Sequence, residues 1–229
     1  MITRLPMRRN TSSRRRGCIE VKWAALRFVA LAMVTASPVL ATLSGDFVKV
    51  QEILARTRTT KATYALYTWY QLPNLPQKED WAAEFNLGNM HRVETPLHRI
   101  VADCVKGVGT HLSVATGESE TGAGWAKAAC GINANKPLLS ADFIGSHMTK
   151  YGKVDRVRVV DKDDIRFYDV TSDGILQYAK TLNNAPGQSL TLDTLASTIV
   201  RKPLPPEMFT TDSLKRSYVP AEYRHRFKS

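Results

Sequence analysis

The sequence predicts a mainly β (α+β) fold: a curved antiparallel sheet or partly open barrel with an N-terminal amphipathic helix and an irregular, proline-rich C-terminal tail. Several short segments are rich in β-branched and aromatic residues and alternate between apolar and polar side chains. Turn residues such as Gly88-Asn89 separate them. Helical periodicity is confined to few segments, and four prolines follow residue 202.

The amphipathic helix is predicted over residues 46–58. Phe47, Val50, Leu54 and Thr57 recur on one face at helical spacing, and Ser44 can cap the helix. A short helical turn at 125–130 and a second helix at 192–200 are also expected. The remaining segments give about eight strands, which we place at 63–72, 81–87, 91–95, 98–104, 111–116, 154–160, 165–170 and 175–180.

Residues 1–41 have the pattern of an export signal. A basic stretch precedes the apolar run Trp23–Val34, and Val39-Leu40-Ala41 offers a cleavage site, so we expect the mature chain to begin at Thr42. The alternative is an uncleaved anchor, but the apolar run is shorter than the roughly 20 residues that a spanning helix needs. A start codon at Val21 would leave residues 1–20 untranslated.

The predicted organisation is therefore a signal peptide at 1–41, a β-rich domain at 42–202 and an extended tail at 203–229. Such a protein would work in the periplasm or outside the cell, with no membrane span after signal cleavage.

The positive charge is concentrated in the signal. The formal net charge is +11, and residues 1–41 hold eight basic side chains against one acidic one. The rest of the chain has 24 basic and 20 acidic side chains. Because this mild excess forms no single-sign run, we expect no nucleic-acid partner.

Two cysteines remain beyond the signal, Cys104 and Cys130. An even pair in an exported protein predicts a disulfide. The segment between them contains five glycines, and ordering it unaided would be entropically expensive. The alternative, a nucleophilic or metal-binding cysteine, has no supporting CxxC or cysteine-histidine spacing.

The densest cluster of polar, titratable residues lies between His91 and Cys104. On a strand, His91 and Glu94 point to opposite faces, whereas His98 and Cys104 share a face but lie about 20 Å apart. We therefore predict no catalytic residue, no metal site and no cofactor, and we expect the histidines on the surface. Convergence of residues from different strands stays open.

The first half of the mature chain resembles the periplasmic lipoprotein-carrier and localisation-factor family. The resemblance covers about residues 45–116 and rests on the order helix, long strand and strand pair. An aspartate-glycine turn is usual in that family, and this chain has Asp103-Cys104 instead. The resemblance implies ligand binding rather than catalysis. The matching residues are Phe85, Arg92, Glu94, Pro96, Ile100, Val101 and Asp103.

These observations lead to one functional hypothesis and two alternatives. The hypothesis is a non-catalytic carrier of an apolar, acyl-like ligand, bound by Tyr67, Trp69, Trp81 and Phe85 on a concave sheet face. The same rings could instead fill the core against the N-terminal helix. The alternatives are a cell-envelope structural or interaction protein that meets a partner through its tail or a sheet edge, and an exported hydrolase.

Overall fold

The computed structural model describes residues 45–73, 79–132 and 137–224. Two α-helices and eleven strands make up the main elements of these ranges. They are α1 (Gly45–Thr59), β1 (Tyr64–Gln71), β2 (Glu79–Leu87), β3 (Met90–Glu94), β4 (His98–Asp103), β5 (Val108–Ser113), β6 (Ser119–Gly122), α2 (Ala123–Ala129), β7 (Ser140–Thr149), β8 (Gly152–Val160), β9 (Asp164–Thr171), β10 (Leu176–Asn183) and β11 (Leu190–Val200).

All eleven strands belong to one antiparallel sheet. Their order is β6-β5-β4-β3-β2-β1-β11-β10-β9-β8-β7, so each half of the sheet is a meander and the two halves join where β1 pairs with β11. In the described part of the chain β6 and β7 are edge strands that do not pair with each other. The sheet is therefore curved and open, and the predicted fold class is confirmed.

Most predicted elements are present, but three assignments were wrong. Residues 192–200 form part of the central strand β11 and not a helix. Thr191, Thr194, Thr198, Ile199 and Val200 give this segment high β-propensity. Pairing with β1 and β10 outweighs the helical spacing of its leucines. Strands β6 and β7 were missed because both are edge strands with many small or polar residues.

Both helices pack on the same face of the sheet, which we call the helix face. Val50, Ile53 and Leu54 of α1 are buried against a cluster that includes Val157 and Tyr168. The helix spans one residue more at each end than predicted. Asp46 in its first turn, and Arg56 and Arg58 in its last, complement the helix dipole.

The predicted disulfide between Cys104 and Cys130 is present. It ties the end of α2 to the turn between β4 and β5, over the buried side chains of Ile100 and Ala102. Helix and sheet are very close here, since a Cβ added at Gly109 would lie 2.7 Å from the backbone nitrogen of Ala126.

The C-terminal residues 203–224, which we call the strap, pack on the opposite face of the sheet. Three short 3-10 helices, Pro206–Phe209, Asp212–Lys215 and Ala221–Tyr223, form within the strap. Residues of this segment share a buried cluster with β1, β2 and β4. We call this side of the sheet the strap face. The buried apolar residues of the strap are Leu204, Met208, Phe209, Leu214 and Val219.

The predicted signal at 1–41 and the cleavage site before Thr42 lie outside the described residues. Among the helices that are described, none is long and apolar enough to cross a membrane.

Loss of the disulfide should destabilise the protein. We expect Cys104→Ser to lower the free energy of unfolding by about 2–4 kcal/mol, because the bond restricts the unfolded chain and holds α2 on the sheet. Urea denaturation measures the difference, and new protease cleavage between residues 105 and 129 should accompany it. Unchanged stability, or alkylation of both thiols in the native non-reduced protein, would contradict this.

Candidate functional site

Two of the predicted ligand-binding aromatics are covered by the protein's own strap. Tyr67 and Phe85 are buried, with their rings edge to face at 6.0 Å. Tyr223 of the strap stacks on Tyr67 at 4.0 Å between ring centroids. Strand register places α1 on the other face of β1, so these rings do not fill a core against the N-terminal helix.

A row of large apolar side chains continues from these rings across the strap face, beyond the strap. In the sheet register Trp69 lies opposite both Trp81 on β2 and Leu195 on β11, and Leu195 lies opposite Tyr178 on β10. Leu195 is 63% exposed although it lies on a central strand. We call Trp81, Trp69, Leu195 and Tyr178 the apolar row. It contains Trp69 and Trp81, the other two aromatic residues that were predicted to bind a ligand.

The β10 end of the apolar row opens into a depression of about 360 Å³. Arg156 donates two hydrogen bonds of 2.7 Å to Asp169 there, and its guanidinium lies 5.7 Å from the centre of the Tyr178 ring. His147 and Lys150 also line the depression. At the β10 end, the apolar row therefore borders the rim of a depression that has more cationic than anionic groups.

The strap is held on the sheet by a buried guanidinium. Arg92 has no exposed side-chain surface, and its Nε donates to Glu94 at 2.7 Å. Its other nitrogens donate to the strap: to the carbonyls of Met208 at 2.9 Å and Arg216 at 2.8 Å, and to the Ser213 hydroxyl at 2.7 Å. Burial lowers the pKa of Arg92 from its ordinary value, and Glu94 opposes that shift.

Glu94 completes the attachment from the acceptor side. Its carboxylate accepts hydrogen bonds from the Ser217 hydroxyl at 2.7 Å and from the backbone nitrogen of Tyr218 at 3.0 Å. Arg99 approaches it at 3.8 Å and also donates to the Leu214 carbonyl. Because both buried charges have hydrogen-bond partners, the desolvation penalty of the pair is offset.

The polar cluster between His91 and Cys104 is divided between the two faces. His91 lies on the helix face, where its Nδ1 donates to the Ala129 carbonyl at 3.1 Å, whereas Glu94 lies under the strap. Cys104 is in the disulfide. The described residues therefore do not bring these side chains into one site, and no group of three or more metal-ligating side chains is found among them.

The expectation of surface histidines was wrong for two residues. His91 is 3% exposed and His111 is 8% exposed. His111 stacks on Trp125 of α2 at 3.9 Å and shares a hydrogen bond of 2.9 Å with His98. Burial lowers the pKa of His111. The alternation of apolar and polar residues predicts which side chains share a face of the sheet. It does not predict that α2 covers the face on which His91 and His111 lie.

Two further residues that sequence reasoning missed are Glu84 and Leu195. Glu84 alternates with apolar residues on β2 and lines a cavity on the helix face. Burial raises its pKa to about 7 and lowers the pKa of neighbouring His91 to about 4. Leu195 fell within the segment assigned to a helix.

No protein-family model and no curated protein matches this sequence. Among solved structures, an uncharacterized conserved protein from Thermus thermophilus shares 13% identity, with a TM-score of 0.49 over 77% of this chain and 97% of that one. A LolA superfamily protein from Nitrosomonas europaea shares 10% identity, with a TM-score of 0.38 over 72% of this chain and 99% of that one.

The structural neighbours also include MucB, solved in complex with MucA(peri). It shares 12% identity, with a TM-score of 0.43 over 76% of this chain and 60% of that one. This chain thus spans less than two thirds of the MucB chain. LolA superfamily proteins are among the neighbours, as the resemblance of residues 45–116 led us to expect.

Removal of the Arg92 guanidinium should release the strap. Arg92→Leu leaves the Glu94 carboxylate buried without its partner and removes the donors to three strap residues, so we expect a loss of about 3–5 kcal/mol. Protease cleavage within residues 203–224 should appear together with this loss. Arg158→Leu is the control, because it breaks a part-exposed pair with Asp142 and should cost under about 1 kcal/mol. Equal protease resistance of both variants would contradict the strap's attachment.

Glu84 and His91 should contribute opposite pH dependences to stability. The folded pKa of His91 lies below its ordinary value of 6.5, so its contribution rises as pH increases from about 4 to 6.5. The folded pKa of Glu84 lies above its ordinary value of 4.5, so its contribution falls as pH increases from 4.5 to about 7. Over its pH range, each group changes the free energy of unfolding by about 3 kcal/mol, since one pKa unit corresponds to 1.36 kcal/mol.

Relative to the wild type, Glu84→Gln should therefore gain stability as the pH rises from 4.5 to about 7. His91→Gln should lose stability relative to the wild type as the pH rises from about 4 to 6.5. Urea denaturation at several pH values between 4.5 and 7.5 measures both differences. Parallel stability curves for the three proteins would contradict the assignment.

Proposed function

We propose that this protein is an exported, non-catalytic binding module for an apolar, acyl-like ligand that lies along the apolar row. The observation that carries the proposal is the 63% exposure of Leu195 on a central strand, in register with Trp69 and Tyr178. An exposed leucine that lies in register with partly buried aromatic rings on the neighbouring strands offers an apolar binding surface, unlike an isolated surface leucine.

The geometry of the row suits an extended chain. Its four residues lie on four adjacent strands, so it runs across the sheet for roughly 14 Å at about 4.8 Å per strand. The strap limits it on one side, where Tyr223 stacks on Tyr67. A ligand can therefore cover Trp69 and Leu195 without displacing the strap, while the buried rings of Tyr67 and Phe85 shape the adjoining surface.

The depression beside Tyr178 supports a ligand with an anionic head. Arg156 and His147 both lie beside Asp169, and Lys150 is on the same rim, so the rim holds the two cations Arg156 and Lys150 and one carboxylate. A carboxylate or phosphate at this end would be electrostatically favoured, while the acyl chain lies on the tryptophans.

Export is part of the same proposal. The signal-like residues 1–41 motivate it, and the Cys104–Cys130 disulfide is typical of proteins that mature in an oxidising compartment. Periplasmic or extracellular carriers of apolar molecules work in such compartments.

The envelope-interaction alternative retains one supporting feature. Strand β7 is a ten-residue edge strand on which Ile144 and Met148 are 55% and 73% exposed. Exposed strand edges can pair with an extended segment of another protein. Within residues 203–224, the buried apolar side chains of the strap pack on the sheet.

Leu195→Glu should weaken ligand binding. A carboxylate between Trp69 and Tyr178 would have to be desolvated under an acyl chain, so we expect palmitate to bind at least roughly tenfold more weakly, or 1.4 kcal/mol. Isothermal titration calorimetry measures the affinity, and native mass spectrometry of protein purified from the periplasm shows any retained lipid.

Leu139→Glu is the matched control, because Leu139 is 72% exposed and lies outside the apolar row. It should bind palmitate like the wild type. Equal binding by both variants would place the ligand elsewhere, and a wild-type protein with neither retained lipid nor palmitate affinity would overturn the proposal.

A further inference from the structure

The helix face contains a second cavity, of about 180 Å³, in the space between the two helices. Strands β1, β2 and β3 form its floor. The ends of α1 and α2 and the turn between β9 and β10 form its walls. Its floor residues are Tyr64, Glu84, His91 and Val93, and its wall residues are Thr57, Ala128, Ala129, Gly131, Ile132, Gly174 and Leu176.

Glu84 is the single acidic side chain in this cavity, and no basic side chain other than His91 lines it. His91 is uncharged at neutral pH, because burial lowers its pKa to about 4. Burial also keeps Tyr64 neutral by raising its pKa. In the described part of the chain, no side chain or backbone group forms a hydrogen bond or ion pair with the Glu84 carboxylate. The cavity thus holds one acidic group without a cationic partner.

The rest of the cavity is narrow and mostly apolar. Gly131 has a φ of +69°, and a Cβ at this position would lie 2.6 Å from the Thr57 carbonyl oxygen. Glycine there lets the end of α1 close against the segment after α2. Val93, Ile132 and Leu176 supply apolar walls. The close contact of α1 with Gly131 forms one wall of the space.

We propose that this cavity binds a primary alkylammonium group, with the ammonium on Glu84 and the alkyl stem against the apolar walls. Lysine side chains combine these two properties, since their methylene groups pack on apolar surface while the ammonium group pairs with an anion. The volume equals about six waters at roughly 30 Å³ each, which suits a stem of four or five heavy atoms.

A metal ion fits this cavity less well. Calcium requires six to eight oxygen ligands and magnesium requires octahedral geometry. The lining offers a single carboxylate together with a histidine whose Nδ1 is already committed to the Ala129 carbonyl. An ammonium group needs only one carboxylate and a few neutral acceptors.

The test is a titration of the protein with n-butylammonium chloride, followed by the NMR signal of the Glu84 side-chain carboxyl and by calorimetry. Saturable binding with a shift of that signal is expected. n-Butanol, which has the same stem without the charge, should bind at least roughly tenfold more weakly, since it cannot form a charge-assisted hydrogen bond with the carboxylate.

Three variants locate the site. Glu84→Gln keeps the shape and removes the charge, and Ala128→Leu fills the exposed rim, so both should lose at least roughly tenfold in affinity. Glu120→Gln makes the same chemical change on an exposed residue of β6 and should bind like the wild type. Equal binding by Glu84→Gln and the wild type would overturn the proposal, as would the absence of a Glu84 shift at saturating amine.

Parallel titrations distinguish a free amine from a protein side chain. Nα-acetyl-lysine amide presents the same ammonium on a bulkier backbone. If it binds as tightly as butylammonium, the natural ligand is a lysine of a partner; if only butylammonium binds, the ligand is a small free amine. The outcome is independent of palmitate binding, because the cavity and the apolar row lie on opposite faces of the sheet.

Discussion

The strap face depends on the hydrogen bonds and the ion pair that the buried guanidinium of Arg92 forms. Its five N–H groups have a fixed geometry, and their acceptors lie on both the sheet and the strap. A charge this deep is tolerated only when it is paired and fully hydrogen-bonded. Because Glu94 neutralises it and also accepts from Ser217 and Tyr218, the pair attaches the strap to β3. The described part of the strap leaves Leu195 exposed on the same face of the sheet.

The sheet therefore has two differently covered faces. On the helix face, α1 and α2 cover the two halves of the sheet, and the disulfide fixes α2 in place. The gap between the helices leaves the Glu84 cavity. On the strap face, the described C-terminal residues cover β1 to β5, while Leu195 stays exposed and Trp81, Trp69 and Tyr178 are partly buried. In the described part of the chain the edge strands β6 and β7 do not pair with each other, so the sheet stays open.

The sequence predicts the fold class, the position of α1 and the disulfide, because each depends on local periodicity or on residue type. It does not predict that Tyr67 and Phe85 lie under the strap, since this depends on contacts between residues more than 100 positions apart in the chain, such as Arg92 with Ser213. For the same reason it misplaces His91: alternation assigns a side chain to a face but does not reveal what covers that face. Leu195 is lost with the misassigned helix at 192–200.

Tryptophan quenching by a brominated fatty acid tests most directly whether the ligand lies on the strap face. In the exported protein, Trp125→Phe leaves Trp69 and Trp81 on the apolar row as reporters, whereas the double variant Trp69→Phe and Trp81→Phe leaves Trp125 of α2 on the helix face. Binding along the apolar row predicts strong, saturable quenching of the first variant and little quenching of the second. Quenching of Trp125, with Trp69 and Trp81 unaffected, would place the ligand between the helices and the sheet and contradict the account.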